Sequence, residues 1–149
     1  MQKKQQRITH SFSYRSEPSL AYLALTEQRH FERWWAADAQ TEDFVGGELK
    51  LARVPHGCRM KVRRLESDRV IEWACVPPTA TWAGLDECVG TRVRFTISRG
   101  ADGGTQLQIS HSGWSCRNHC FETWRRFWSC LAGQSLKSYL ETGEGQPLS

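Results

Sequence analysis

The chain has no apolar run near the ~18 residues that a membrane-spanning helix needs. Its first residues carry Lys3, Lys4 and Arg7, with no apolar stretch behind them, so they do not read as a secretory signal. A cytoplasmic location follows as an expectation. The excess of one charge sign is small: 20 Lys and Arg stand against 16 Asp and Glu, a net charge of +4. There is no lysine-rich tail, no zinc-finger spacing and no helix-turn-helix pair, which argues against nucleic acid as a partner. Six cysteines are present, at 58, 75, 88, 116, 120 and 130, without a disulfide-framework spacing and without a C-x-x-C pair. In a reducing compartment they stay thiols. The sequence also lacks a G-x-S-x-G elbow, and neither Gly46-Gly47 nor Gly103-Gly104 is followed by the Lys-Ser/Thr of a phosphate loop. No internal repeat and no low-complexity segment interrupts the 149 residues.

What is present suits one domain, with a structured core over about 8–143. A chain of this length buries roughly 70% of the surface it exposes when unfolded, enough for a core without staples. Hydrophobic residues are 39% and charged residues 24%, so an ordinary globular balance holds, but seven tryptophans are many. They either fill a core or line a cavity.

Ile8, His10, Phe12 and Tyr14 alternate with small polar residues, which predicts a half-buried strand. Ser16 as cap and Pro18 in the first turn then predict a short helix with Leu20, Leu23 and Ala24. Thr26 is the expected cap of a second helix carrying Phe31, Trp34 and Trp35. Gly46-Gly47 is read as the turn between strands at 41–45 and 48–54, and Pro55-His56-Gly57 as the next turn. Strands follow with Met60 and Val62 on one face, and at 70–76 with Ile71, Trp73 and Cys75. Pro77-Pro78 ends that strand and opens a loop to residue 88 that contains Trp82. A two-faced strand at 89–97, a hairpin loop at 100–104 and a strand at 105–111 come next. After Gly113 the period changes from two to about 3.6. Cys120, Trp124, Phe127 and Leu131, widened by Phe121 and Trp128, predict one long helix over 117–141. Gly133 lies inside it as a kink or a close approach to the sheet, and Gly143 is its C-cap. Strands segregated from helices indicate an α+β domain with antiparallel pairing.

This order of elements comes with Trp34-Trp35, Gly46-Gly47, Gly90-Thr91, Gly104-Thr105, His111-Ser112-Gly113-Trp114 and the run from Ser135 to Gly143. Together they resemble the START/Bet v 1-like (SRPBCC) superfamily. Within it, they resemble the bacterial group similar to the C-terminal domain of the activator of the 90-kDa heat-shock protein ATPase. The likeness runs over about 8–147. It implies a helix-grip fold, in which a curved antiparallel sheet wraps around a long C-terminal helix and encloses a hydrophobic cavity. Lipid and hormone carriers, polyketide cyclases and co-chaperone domains share that fold, so it does not fix the function.

In such a fold the strands point Leu49, Leu51, Met60, Val62, Trp73, Cys75, Val93, Phe95, Ile97, Leu107, Ile109 and His111 inward. The helix adds Phe121, Trp124, Phe127 and Trp128, and Trp34 and Trp35 sit near the mouth. These residues are the expected ligand-binding set, for a hydrophobic small molecule and with no cofactor; as a plain core they fill the same volume. His111 extends an apolar face. It is either a ligand anchor, an acid/base, or a histidine satisfied by its surroundings. His111, Cys116, His119 and Cys120 lie within ten residues of one another, but their spacing is poor for zinc, and none is expected. Arg59, Lys61 and Arg63 alternate, with Arg64 beside them, and read as a solvated strand face. The leading reading is a non-catalytic or weakly catalytic binder of a hydrophobic small molecule; the alternatives are an enzyme of cyclase, aromatase or hydrolase type using His111, and a chaperone-associated protein that binds a partner through its surface.

Overall fold

The computed structural model describes residues 6–51, 58–76, 90–114 and 119–148. The first strand, β1 (Gln6–Tyr14), leads into two short helices, α1 (Pro18–Thr26) and α2 (Gln28–Trp34). Five strands follow: β2 (Glu48–Leu51), β3 (Cys58–Glu66), β4 (Val70–Val76), β5 (Arg92–Arg99) and β6 (Thr105–Trp114). The C-terminal helix comprises α3 (His119–Cys130), a π-helical stretch at Leu131–Leu136 and α4 (Lys137–Thr142). The strands form one curved sheet in the order β1-β6-β5-β4-β3-β2, with every neighbouring pair antiparallel.

Alternation sets the faces. On β5, Val93, Phe95 and Ile97 are buried while Arg92 and Arg94 are exposed. On β6, Leu107, Ile109 and His111 point the same way as their partners on β5, because Ile97 lies opposite Leu107, Phe95 opposite Ile109 and Val93 opposite His111. A phase change follows. Arg7 pairs with Ser112 but Gln6 pairs with Trp114, so Gly113 is an extra residue at φ +92°. This bulge turns Trp114 to the buried face, and only a residue tolerant of positive φ fits there. A second irregularity lies between Val62 and Arg64 on β3.

Several local expectations are corrected. Ser16 does not cap α1; Glu17 holds the cap position without a side-chain bond, and Thr105 Oγ1 donates to the Ser16 carbonyl at 2.7 Å. Thr26 does not cap α2, since its hydroxyl donates back to the Tyr22 carbonyl at 2.8 Å, one turn earlier. Residues 41–45 form no strand: Gln40 makes an isolated bridge to Lys50, and the chain then turns so that Gly46 N–H donates to the Val62 carbonyl at 2.8 Å. Strand β5 starts at Arg92 and runs to Arg99, and β6 continues to Trp114. The turn expected at 55–57 and the loop with Trp82 lie outside the described residues.

The helix stripe is also displaced. Phe121, Trp124, Trp128 and Leu131 are buried, while Phe127 is half-buried at the edge. Gly133 makes the close approach: a Cβ there would lie 3.1 Å from Cε1 of Phe12 on β1. Beside it, the Tyr14 hydroxyl donates to the Ala132 carbonyl at 2.8 Å, and Ser135 Oγ donates to the Trp34 carbonyl at 2.6 Å. The Tyr14 bond satisfies a main-chain carbonyl where the helix departs from α geometry, and the Ser135 bond ties the same stretch to the end of α2. Gly143, at φ 87°, closes the helix as expected.

Candidate functional site

The inner face of the sheet and the C-terminal helix meet across an aromatic layer. From the sheet come Leu49, Leu51, Met60, Val62, Trp73, Cys75, Val93, Phe95, Ile97, Leu107, Ile109 and His111, all buried. From the helices come Trp34, Trp35, Phe121, Trp124 and Trp128, also buried. The rings form a continuous chain of contacts. Phe31 stacks on Trp35 at 5.3 Å between centroids, Trp35 meets Trp128 at 5.7 Å, and Phe95 bridges Trp128 at 5.7 Å to Trp73 at 4.7 Å. Most pairs meet edge to face, the arrangement favoured by ring quadrupoles. Trp34 and Trp35, expected near a mouth, are fully buried (0% exposed), and the Trp34 indole donates to the Ala24 carbonyl at 2.7 Å.

His111 is the polar centre of this layer. Trp128 Nε1 donates to His111 Nδ1 at 3.1 Å, so that nitrogen is an acceptor and Nε2 carries the proton, facing Thr91 Oγ1 at 2.9 Å. Burial lowers its pKa to about 3, because a charged imidazolium has no water here. Aromatic rings close around it, with Trp114 at 4.8 Å, Trp124 at 5.2 Å and Trp128 at 6.2 Å.

Trp114 was not among the expected site residues. Its side chain is fully buried, yet its indole N–H has no hydrogen-bond partner among the described residues. The signal was available in Gly113: a glycine within a strand pattern marks a bulge, and a bulge moves the next residue to the other face. Thr91 was also missed as a partner of His111, because the pairing joins residues 20 positions apart. No cluster of three or more metal-ligating side chains occurs among the described residues. Of the four residues weighed for zinc, His111 is engaged as above, and Cys116 lies outside the described residues.

The curved sheet gripping a C-terminal helix, with an aromatic layer between them, defines a helix-grip protein of the SRPBCC type. The model of the family described as activator of Hsp90 ATPase homolog 1-like protein matches residues 15–141, and the chain belongs to that family. Among solved structures, the Aha1 dimer from Colwellia psychrerythraea is similar at TM-score 0.81 and 24% identity, covering 94% of this chain and 99% of that one. CalU16 from Micromonospora echinospora is similar at TM-score 0.72 and 16% identity, covering 95% of this chain and 78% of that one. DynU16, from the dynemicin biosynthetic locus, is similar at TM-score 0.71 and 18% identity, covering 93% of this chain and 48% of that one. At these identities the likeness concerns the fold. No curated protein matches the chain in sequence. No helix among the described residues is long and apolar enough to cross a membrane.

Proposed function

We propose that the chain binds a flat hydrophobic small molecule that carries a hydrogen-bond acceptor, taken up between the sheet and the C-terminal helix. One observation carries this reading: the buried Trp114 indole N–H has no hydrogen-bond partner among the described residues and sits among apolar and aromatic neighbours. A buried donor without a partner costs about 1–3 kcal/mol, which an acceptor on a ligand recovers. The surroundings suit such a ligand, with apolar walls and few polar anchors. Rings that meet by their edges re-pack by rotation about their side-chain bonds, so the ligand enters by displacing rings rather than by filling a standing void. The occurrence of a fold relative, DynU16, in the dynemicin biosynthetic locus also fits small-molecule binding. A cytoplasmic setting that keeps the thiols reduced fits it too.

The acid/base reading is the weaker one. Both ring nitrogens of His111 are occupied, and with a pKa of about 3 the ring stays neutral near pH 7. Docking of a protein partner has one observation behind it: Phe44 and Val45, beside β2, are 54% and 61% exposed.

Native mass spectrometry of protein purified from its own cells tests the proposal, with a co-purifying small molecule as the expected result. In vitro, 2-acetylnaphthalene should quench tryptophan fluorescence and raise the melting temperature, and should bind up to about tenfold more tightly than 2-ethylnaphthalene, which lacks the acceptor. Binding of neither compound, with no co-purifying molecule, overturns the reading. The partner-docking alternative then gains if the protein stimulates the ATPase of a 90-kDa heat-shock protein and Phe44→Ser with Val45→Ser abolishes that stimulation.

A further inference from the structure

The outer face of the same sheet carries a second candidate site. Along one cross-strand row, Arg7, Ser112, Arg92, Ala74 and Lys61 lie opposite one another on β1, β6, β5, β4 and β3. The neighbouring row places Ser110 opposite Arg94 and Arg94 opposite Glu72. Adjacent strands are about 4.8 Å apart, so Arg7 and Arg92, two strands apart, are separated by roughly 10 Å of sheet. Short side chains lie between the long ones. Ser110, Ser112 and Ala74 therefore form a floor, and Arg7, Arg63, Arg92 and Arg94 stand around it to enclose a concavity of about 530 Å³.

Its charge is one-sided. Glu72 is the lone carboxylate in the lining, and it is engaged by Arg94 at 3.4 Å and Arg64 at 4.0 Å. Arg7, Arg63 and Arg92 make no ion pair among the described residues. A solvated strand face gains from opposite charges across strands and loses from like charges gathered together. Elsewhere on the outer sheet face Arg59 pairs with Glu48 and Arg64 with Glu66. The outer groove departs from that pattern.

We propose that this groove binds a small, multiply charged phosphate-bearing anion. The Arg7, Arg63 and Arg92 guanidiniums would pair with its oxygens, and the Ser110 and Ser112 hydroxyls would donate from the floor. Guanidinium forks and hydroxyls are the donors that suit phosphate oxygens. The volume falls within the roughly 300–1,000 Å³ of small-molecule sites. Trp73 is the one aromatic residue of the lining, and its ring is buried on the other face of the sheet against Phe31 and Phe95, so the groove presents no ring to stack nucleobases, unlike single-strand nucleic-acid platforms. The site is independent of the aromatic interior and stands or falls without it.

Tripolyphosphate is the probe, with calorimetry for affinity and amide NMR for location, at low and high salt. The expected result is saturable binding that weakens with salt and shifts the amides of Arg92, Ser110 and Ser112. Arg63→Gln and Arg92→Gln should each weaken it by about tenfold, while Arg126→Gln, on the exposed side of α3, leaves it unchanged. Since these side chains lie at the surface, the variants should keep the parent circular dichroism. Vesicles containing phosphatidic acid separate the sources. Vesicle binding that tripolyphosphate competes away assigns the phosphate to a lipid headgroup; tripolyphosphate binding without vesicle binding assigns it to a free ligand. The proposal is overturned by no saturable binding, by equal losses in Arg126→Gln, or by a single-stranded oligonucleotide or polyglutamate that binds more tightly with shifts extending beyond the groove.

Discussion

The two faces of strands β5 and β6 are built from alternate residues of the same chain, and they solve opposite problems. Inward, Val93, Phe95, Ile97, Leu107 and Ile109 pack against helix aromatics, and the buried His111 has both nitrogens bonded. Outward, Arg92 and Arg94 stand over Ser110 and Ser112 around an open groove. Because side chains alternate with period two, a slip of one residue would exchange the faces, so burial fixes the register for both. Each face nevertheless leaves something unanswered. Among the described residues, the inner face leaves the Trp114 N–H without a partner, and the outer face leaves the Arg7, Arg63 and Arg92 guanidiniums without an ion pair. An unmet hydrogen bond is expensive in the dry interior and cheap at the wet surface. The interior orphan is therefore the stronger sign of a missing partner.

The contrast breaks most sharply at neighbouring positions. Phe95→Ala, in the fully buried layer, should cost about 3–5 kcal/mol in chemical denaturation, and Trp124→Ala should fall in the same range. A loss below about 1 kcal/mol at either would mean that the layer is not close-packed.

Acid comes next. The folded pKa of His111, about 3, lies below the ordinary value of 6.5, so the unfolded state binds the proton more readily between those values. The His111 contribution to stability is thus complete above pH 6.5 and is lost as pH falls towards 3, at up to about 1.4 kcal/mol per pH unit. Urea denaturation across that range should show this slope, and His111→Gln should remove most of it. An unchanged slope in the variant would mean that His111 is not held neutral by burial.

A smaller effect is expected from Trp128→Phe, which keeps most of the ring but deletes the donor to His111 Nδ1. The cost should be about 1–3 kcal/mol in denaturant melts, since an acceptor is left unpaired in the core. On the outer face, Arg94→Ala breaks an exposed pair with Glu72 and should change the thermal unfolding free energy by less than about 1 kcal/mol. Parity between Arg94→Ala and Phe95→Ala would erase the difference between the faces.

Much of this contrast was legible in the sequence because alternation reports burial directly. Phe95 and Arg94 declare their faces by position alone, and the inward direction of His111 followed from Leu107 and Ile109. The π-helical stretch was not legible, since it arises where Gly133 meets Phe12 and Tyr14 reaches the Ala132 carbonyl, contacts made more than a hundred residues apart. Ser16 and Thr26 have the chemistry of caps, but the Ser16 hydroxyl turns to Thr105 Oγ1 and the Thr26 hydroxyl to the Tyr22 carbonyl. The groove escaped notice because Arg63 was read along its own strand, where its neighbours are Arg59 and Lys61. Its role depends on Arg7, Arg92 and Arg94, which only strand order brings beside it. Trp114 was hidden by a one-residue bulge that reverses the phase of β6.

The most direct test of the central claim is the ¹H–¹⁵N spectrum of the tryptophan indoles during a titration with 2-acetylnaphthalene. The Trp114 N–H, which has no partner among the described residues, should move downfield and saturate as it gains the ketone oxygen, while the Trp34 N–H, already bonded to the Ala24 carbonyl, should move little. An unchanged Trp114 resonance at saturating ligand would contradict the account.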